Sequence, residues 1–517
     1  MNHKDFVKKQ NRSRYFTWSA FMSTWSTLLI AFTMFVGLGP AKTAEAYYAN
    51  GQAAAQAVGQ TNTDGSSSYT SSTPNNPVNV GLNNPEGTAV DGSRHLLYVA
   101  DTNNHRVLVY ALNTDNSLPD YKADYVVGQA GFSATNPNRG GSSPAINSLR
   151  SPSRVAVELA SGNVYVSDTG NNRVLIFAAV TIIDPNALHV IGASNFTTTN
   201  ANGTVSNTQM LSPAGVAFSG SGGTLKIYIA DRDFNRVLIF NQITTDGQGA
   251  VNVLGQGTFI ESSAALSQNG MASPAGLHYS GAGYLYVADS SNNRVLVWTS
   301  PITGNGQNAN LVLGQTWFYS NGSGASSSTF NRPADIVVTT NGNTYVSDSN
   351  NNRVLVWNTA ITTSGQAANL VLGQSSFSGT SQGATPTREN YPLGLAAAGS
   401  YLYISDSQNN RVIGYASTVS SSGQSASFVL GQLSSDGSVD FYGNTFNNPQ
   451  NTGLNNPTSV AIDTANHLLF ASDTNNNRVL VYTLNAANQL LDFGADYVLG
   501  QPNFSLTAAN QGGAVSA

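Results

Sequence analysis

The sequence predicts an all-β fold closed into a seven-bladed propeller, and three observations carry that expectation. The string Asp-x-x-x-x-Arg-Val recurs at Asp101/Arg106, Asp168/Arg173, Asp231/Arg236, Asp289/Arg294, Asp348/Arg353, Asp406/Arg411 and Asp473/Arg478. Successive aspartates lie 67, 63, 58, 59, 58 and 67 residues apart, which marks one supersecondary unit copied in tandem. Each copy holds four short apolar runs rich in β-branched and aromatic residues, divided by Gly, Asn, Ser and Pro clusters. Four strands per unit make a propeller blade.

In chain order, residues 1 to 46 read as an export signal. A basic start precedes the apolar stretch Leu28 to Leu38 and a small-x-small site at Ala44-Glu45-Ala46, which predicts cleavage before Tyr47 and a secreted or cell-surface protein. The alternative is an uncleaved anchor, because no charge occurs from Tyr15 to Ala41 and that length spans a bilayer. Residues 47 to 81 form an N-terminal segment with a Ser/Thr/Asn/Pro-rich linker; the propeller runs from 82 to 504, and 505 to 517 is a loose tail.

Composition limits the partners. Only 9% of residues are charged; the whole chain carries −5, and removing the six basic and two acidic groups of residues 1 to 46 leaves −9 on the remainder. An acidic domain without a basic stripe argues against nucleic acid, and a surface of Asn, Ser, Thr, Gln and Gly favours neutral partners. Membrane contact would come only through an uncleaved N-terminal segment. There is no cysteine, so disulfides and thiolate chemistry are excluded.

Within a unit, the fourth copy reads Ser273 to Tyr279, Tyr284 to Asp289, Arg294 to Trp298 and Asn310 to Gln315. The Asp-x-x-Asn-Asn-Arg hairpin joins the second and third runs. Asn tolerates left-handed angles, Asp can accept from the amides of the turn it opens, and Arg can pair with a carboxylate or with carbonyls of its own or the adjoining blade. A ring of identical pairs suits structure, since a reaction needs an asymmetric constellation, so all seven pairs are expected to be structural and none catalytic. The fourth run ends in Val-x-Gly-Gln, as in Val312-Leu313-Gly314-Gln315. A further partial copy, Ala57-Val58-Gly59-Gln60, predicts a strand that pairs at the junction of first and last blades.

The recurring Pro-x-Gly-Val-Ala-Val, Leu-Tyr-Val-Ala-Asp and Asn-Asn-Arg-Val-Leu-Val, best seen in Tyr98 to Val107 and Ala471 to Val479, resemble the NHL-repeat family in its secreted, bacterial-type form. The resemblance implies a β-propeller, usually of six blades, that serves mainly as a binding platform for proteins, glycans or RNA. Seven copies favour seven blades, with six as the alternative.

Some similar propellers are lyases or lactonase-type hydrolases that hold zinc or calcium near the axis. A catalytic zinc needs about three converging ligands, whereas His278 is the one histidine on an inner run. No cofactor or metal is expected, and a metal-dependent lyase or lactonase is the alternative. The better clues are departures from the repeat. At the Pro-x-Gly turn Gly is replaced by Arg154, Asp335 and Ser459, and Glu86 takes a middle position filled elsewhere mostly by Ala or Ser. These turns ring one mouth of the channel in a propeller, so Glu86, Arg154, His278 and Asp335 are the expected ligand contacts. The expectation is a secreted or surface binding module for a glycan or a peptide or protein ligand, not an enzyme, with a purely structural exoprotein as a further alternative.

Overall fold

The computed structural model describes residues 79, 82–113, 122–200, 203–398, 401–416, 419–432, 440–444, 452–464, 467–486, 488, 490, 492–501 and 507. The expected signal peptide, the segment Ala57 to Gln60 and nearly all of the linker and tail lie outside them. The chain divides into Met1–Ala53, also outside, and Ala54–Ala517, which holds the propeller. Among the described residues no helix is long and apolar enough to cross a membrane.

Seven four-stranded antiparallel sheets follow one another along the chain, each built from four consecutive strands. In the first blade these are Pro85–Asp91, Leu96–Asp101, Arg106–Ala111 and Tyr125–Val127, from the axis outward. The inner strands of the other blades are Arg154–Glu158, Pro213–Ser219, Pro274–Tyr279, Pro333–Val338, Pro392–Ala398 and Pro457–Asp463. Seven blades are thus established and six excluded. Among the described residues none of the sheets borrows a strand from the far end of the chain.

Local chemistry explains the repeated spelling. Proline opens most inner strands because its missing N–H is harmless at a strand's first residue. Register then slips by a bulge, from Pro274↔Asp289 to Leu277↔Val287 in the fourth blade, which places the Pro-x-Gly turn beside the next blade. A Cβ on Gly276 would stand 2.6 Å from the carbonyl oxygen of Ala334, so the inner strands there approach too closely for a side chain.

Apolar side chains from adjacent blades interlock between sheets. One cluster joins Leu285, Val287 and Trp298 of the fourth blade to Tyr228, Val237 and Ile239 of the third; another joins Phe470 and Val481 of the last to Val99 and Tyr110 of the first. Because both faces of each sheet are covered, the runs are nearly continuous rather than alternating.

Three contacts repeat around the ring. The glycine of Val-x-Gly-Gln receives a buried plug from the segment leading into the next blade: Leu149 on Gly128, Met210 on Gly192, Met271 on Gly255, Phe330 on Gly314, Leu454 on Gly431 and Leu82 on Gly500. In the second contact a hydroxyl just after the motif aspartate donates to the next blade's proline carbonyl, as Ser349 does to Pro392 at 2.6 Å and Thr474 to Pro85 at 3.1 Å. The third runs from the amide before that proline to a side chain at the end of the preceding hairpin, as Arg332 N donates to Asn293 Oδ1 at 2.8 Å and Asn84 N to Asn477 Oδ1 at 2.9 Å. The last blade therefore joins the first through the same three contacts that recur between consecutive blades.

Candidate functional site

The motif pairs are buried fasteners. Their guanidinium–carboxylate separations run from 2.5 to 2.7 Å, with both side chains 0% exposed in all seven. In the fifth blade Asp348 Oδ2 accepts Arg353 Nε at 2.6 Å and Asn351 Nδ2 at 2.8 Å, while Oδ1 accepts the Asn331 amide at 2.6 Å. That amide belongs to the segment before the inner strand. The aspartate thus pins the incoming chain, where the sequence suggested the amides of its own turn. The residue closing each hairpin is left-handed, Asn in six blades and His105 (φ 55°) in the first, a conformation that Asn tolerates best.

The arginines satisfy both alternatives of a second expectation. The sequence left a choice between a carboxylate and carbonyls, and the structure shows both engaged at once. Arg353, besides Asp348, donates to the carbonyls of Ser326, Thr329 and Phe377. Arg173, besides Asp168, donates to Ala145 O at 3.0 Å and Ser148 O at 2.8 Å. Arg236, besides Asp231, reaches Ser206, Gln209 and Phe259 at 2.9, 2.7 and 2.7 Å. Arg411, besides Asp406, reaches Thr385, Arg388 and Phe441 at 3.0, 2.7 and 2.6 Å. Arg294 holds Ser267 and Gly270 in the same way, Arg478 holds Gly453, and Arg106 holds Phe132. Each guanidinium therefore ties its hairpin to neighbouring connections. With Arg106, Arg173, Arg236, Arg294, Arg353, Arg411 and Arg478 all enclosed, none presents a donor at the surface.

At the end of the ring where these hairpins meet the Pro-x-Gly turns, the blades differ. Glu86 is half-buried and accepts Asn84 Nδ2 at 3.1 Å. Burial raises its carboxyl above the usual range, and the charges of Arg154 and Arg232 partly offset this. Arg154 is exposed at the start of the second inner strand, where it pairs with Ser167. Asp335 is raised by burial and feels the same Arg154, but its carboxylate is committed: Oδ2 accepts the Leu395 amide of the next blade at 3.0 Å and Oδ1 its neighbour Ile336 at 2.9 Å. The structure thus brings Glu86, Arg154 and Asp335 into one electrostatic neighbourhood.

His278 stands apart. It pairs across the sheet with Tyr286, and burial alone lowers its ring to about 4, which keeps it neutral. Among the described residues no group of three His, Asp or Glu side chains is arranged to hold a metal ion.

Arg232 was missed in the sequence. It occupies the position of the strapping hydroxyl in the third blade, is 45% exposed, and pairs with Asp233 at 3.1 Å. Asp233 in turn accepts Ser212 Oγ at 2.6 Å. Among the described residues the third-to-fourth junction lacks the hydroxyl-to-proline strap. The signal was available: every other copy has Ser or Thr at this position.

A second omission is Glu389, which stands where the other junctions carry an apolar plug. It lies against Gly373, fully buried. Its Oε1 accepts Tyr415 Oη at 3.3 Å, and Oε2 has no partner. Burial, reinforced by nearby Asp406, pushes its carboxyl well above the ordinary range.

The far end of the ring offers less. Asp91 binds Ser93, the Arg94 amide and the Arg94 guanidinium, and Glu158 accepts the amides of Ala160 and Ser161. These acids close their own hairpins. A shallow depression of 440 Å³ beside the third blade is lined only by hydroxyls and amides, among them Ser194, Thr198, Asn200 and Gln209.

The NHL-repeat family model matches residues 82–110, 149–177 and 330–357, three of the seven units just described. The chain is an NHL-repeat protein. This NHL propeller matches no curated protein. Among solved structures it is similar to a streptogramin B lyase (10% identity, 78% of this chain and 92% of that chain, TM-score 0.42). It is also similar to the hydrazine synthase of Kuenenia stuttgartiensis (13%, 79% and 98%, 0.47) and to virginiamycin B lyase from Staphylococcus aureus (10%, 75% and 91%, 0.40). Likenesses of that degree carry no argument about activity, and the chemistry of the NHL propeller has to be argued from its own residues.

Proposed function

We propose that the protein is a secreted or cell-surface binding propeller that takes a glycan or peptide ligand at the mouth formed by the hairpins and Pro-x-Gly turns. The observation that supports this is the break in symmetry over the first three blades, where Glu86, Arg154 and Arg232 gather while the other hairpins repeat a structural strap. Two guanidinium groups around one carboxyl can engage a ligand carrying both acceptors and donors, such as a peptide backbone or a sugar acid. Asp335 orients the neighbouring strand rather than meeting the ligand, and His278 offers a neutral ring within the channel.

The test is a glycan and peptide array probed with the protein and with the double variant Arg154→Ala, Arg232→Ala. Selective binding by the parent that is lost in the variant is expected; equal binding by both would refute the mouth as the site. N-terminal sequencing of the exported form should begin at Tyr47, and a start further upstream would contradict cleavage there.

A further inference from the structure

The connection after the fourth blade's outer strand carries two exposed aromatic rings that the fold does not require. Trp317 and Tyr319 are 72% and 70% exposed, flanking Phe318, which packs inward against the cluster between third and fourth blades. In the first, second and fifth blades the positions of Trp317 and Tyr319 carry Gly131 and Ser133, Asn195 and Thr197, and Ser376 and Ser378. Small or polar residues serve the same turn, so the two rings are surplus to folding.

The turn is also held rigidly. Gln315 Nε2 donates to the carbonyls of Asn293 and Gly322 at 3.0 and 2.9 Å, Asn293 Nδ2 donates to Asn321 O at 2.9 Å, and the Phe318 carbonyl accepts from Arg294. A platform fixed in advance loses little entropy on binding. The turn itself is uncharged: no Asp, Glu, Lys or Arg occurs between Arg294 and Arg332.

We propose that Trp317 and Tyr319 form a stacking shelf for a neutral glycan. Pyranose rings present flat C–H faces that lie against aromatic faces, and their hydroxyls bond to amides and hydroxyls such as those of Ser320 and Asn321. With no cation in the turn itself, phosphate, acidic chains and anionic lipid headgroups, which need cationic anchors, are disfavoured there. The shelf extends the binding reading to a second place and rests on that reading's premise that the protein recognises ligands.

The structure supplies its own reporter, because Trp298 and Trp357 are fully buried and Trp317 is the exposed tryptophan among the described residues. The full chain should be titrated with cellohexaose, xylohexaose, mannohexaose and chitohexaose, reading tryptophan fluorescence and calorimetry. At least one sugar should shift the emission to the blue, Trp317→Ala should abolish that shift and weaken binding at least tenfold, and Tyr319→Ala should weaken it several-fold. Arg154→Ala with Arg232→Ala should leave the shelf unaffected, which separates a failure here from a failure of the mouth. No binding by the parent, undiminished binding by Trp317→Ala, or a Trp317-dependent shift with phosphatidylcholine vesicles instead of sugars would overturn the proposal.

Discussion

The hairpins of the third and fourth blades stand side by side in the ring and are spelled differently just after the motif aspartate. In the fourth, Ser290 donates to Pro333 of the next blade at 2.6 Å; in the third, Arg232 leaves that bond unmade and reaches solvent. Both hairpins keep the buried Asp–Arg pair. The difference teaches that positions repeated around the ring hold it together, whereas a position that departs has been released from that duty and either costs stability or serves something else.

The strongest way to break this comparison is at a repeated position. Asp348→Ala leaves the buried Arg353 without its counter-charge and should destabilise by about 3–5 kcal/mol, seen as a lower denaturation midpoint, while the remaining folded protein binds ligand as before. Next comes a departure that costs. Glu389→Met restores the plug found elsewhere and removes an unpartnered buried oxygen, so it should raise stability by about 1–3 kcal/mol; a fall would show that the carboxyl is needed.

At the mouth, Arg154→Ala with Arg232→Ala should weaken the ligand found by the array at least tenfold, about 1.4 kcal/mol, with an unchanged melting temperature. His278 sharpens the comparison through pH. Its folded ring is lowered to about 4 by burial, against about 6.5 unfolded. Its neutral form therefore supports folding fully above about pH 6.5, and that support is lost as pH falls, because the unfolded chain then takes up a proton the folded ring refuses. His278→Ala, the residue most other blades use, should flatten the loss of stability between about pH 7 and about 5.5 by about 1 kcal/mol. Smallest of all, Arg232→Ser should rebuild the strap to Pro274 and add about 0.5–1 kcal/mol while weakening ligand binding.

Much of the ring was legible because its information is local. Asp-x-x-x-x-Arg spells a hairpin within a few residues, and counting its copies gave the seven blades. The bonds between connections were not legible in this way. Ser349 and Pro392 are 43 residues apart, and nothing in the spelling of either says that one bonds the other. Nor does the motif reveal that Arg173 or Arg411 reaches back more than twenty residues to two carbonyls of an earlier segment. The same distance hid Arg232, whose departure matters only once the strap it replaces is known, and Glu389, which reads as an ordinary loop acid until its place against Gly373 is seen. Of the four expected contacts, Glu86, Arg154 and Asp335 share a neighbourhood because the Pro-x-Gly turn could be placed from sequence. That Asp335 commits its oxygens to Leu395 and Ile336 could not be read there.

Since the last blade meets the first through Leu82 on Gly500, Thr474 to Pro85 and Asn84 to Asn477, the ring has no seam of its own. Where the polypeptide is cut becomes a matter of bookkeeping rather than architecture. A circular permutant that links residue 501 to residue 82 and opens instead in another connection between blades should build the same seven sheets in a different order of synthesis, and folding could begin at any blade.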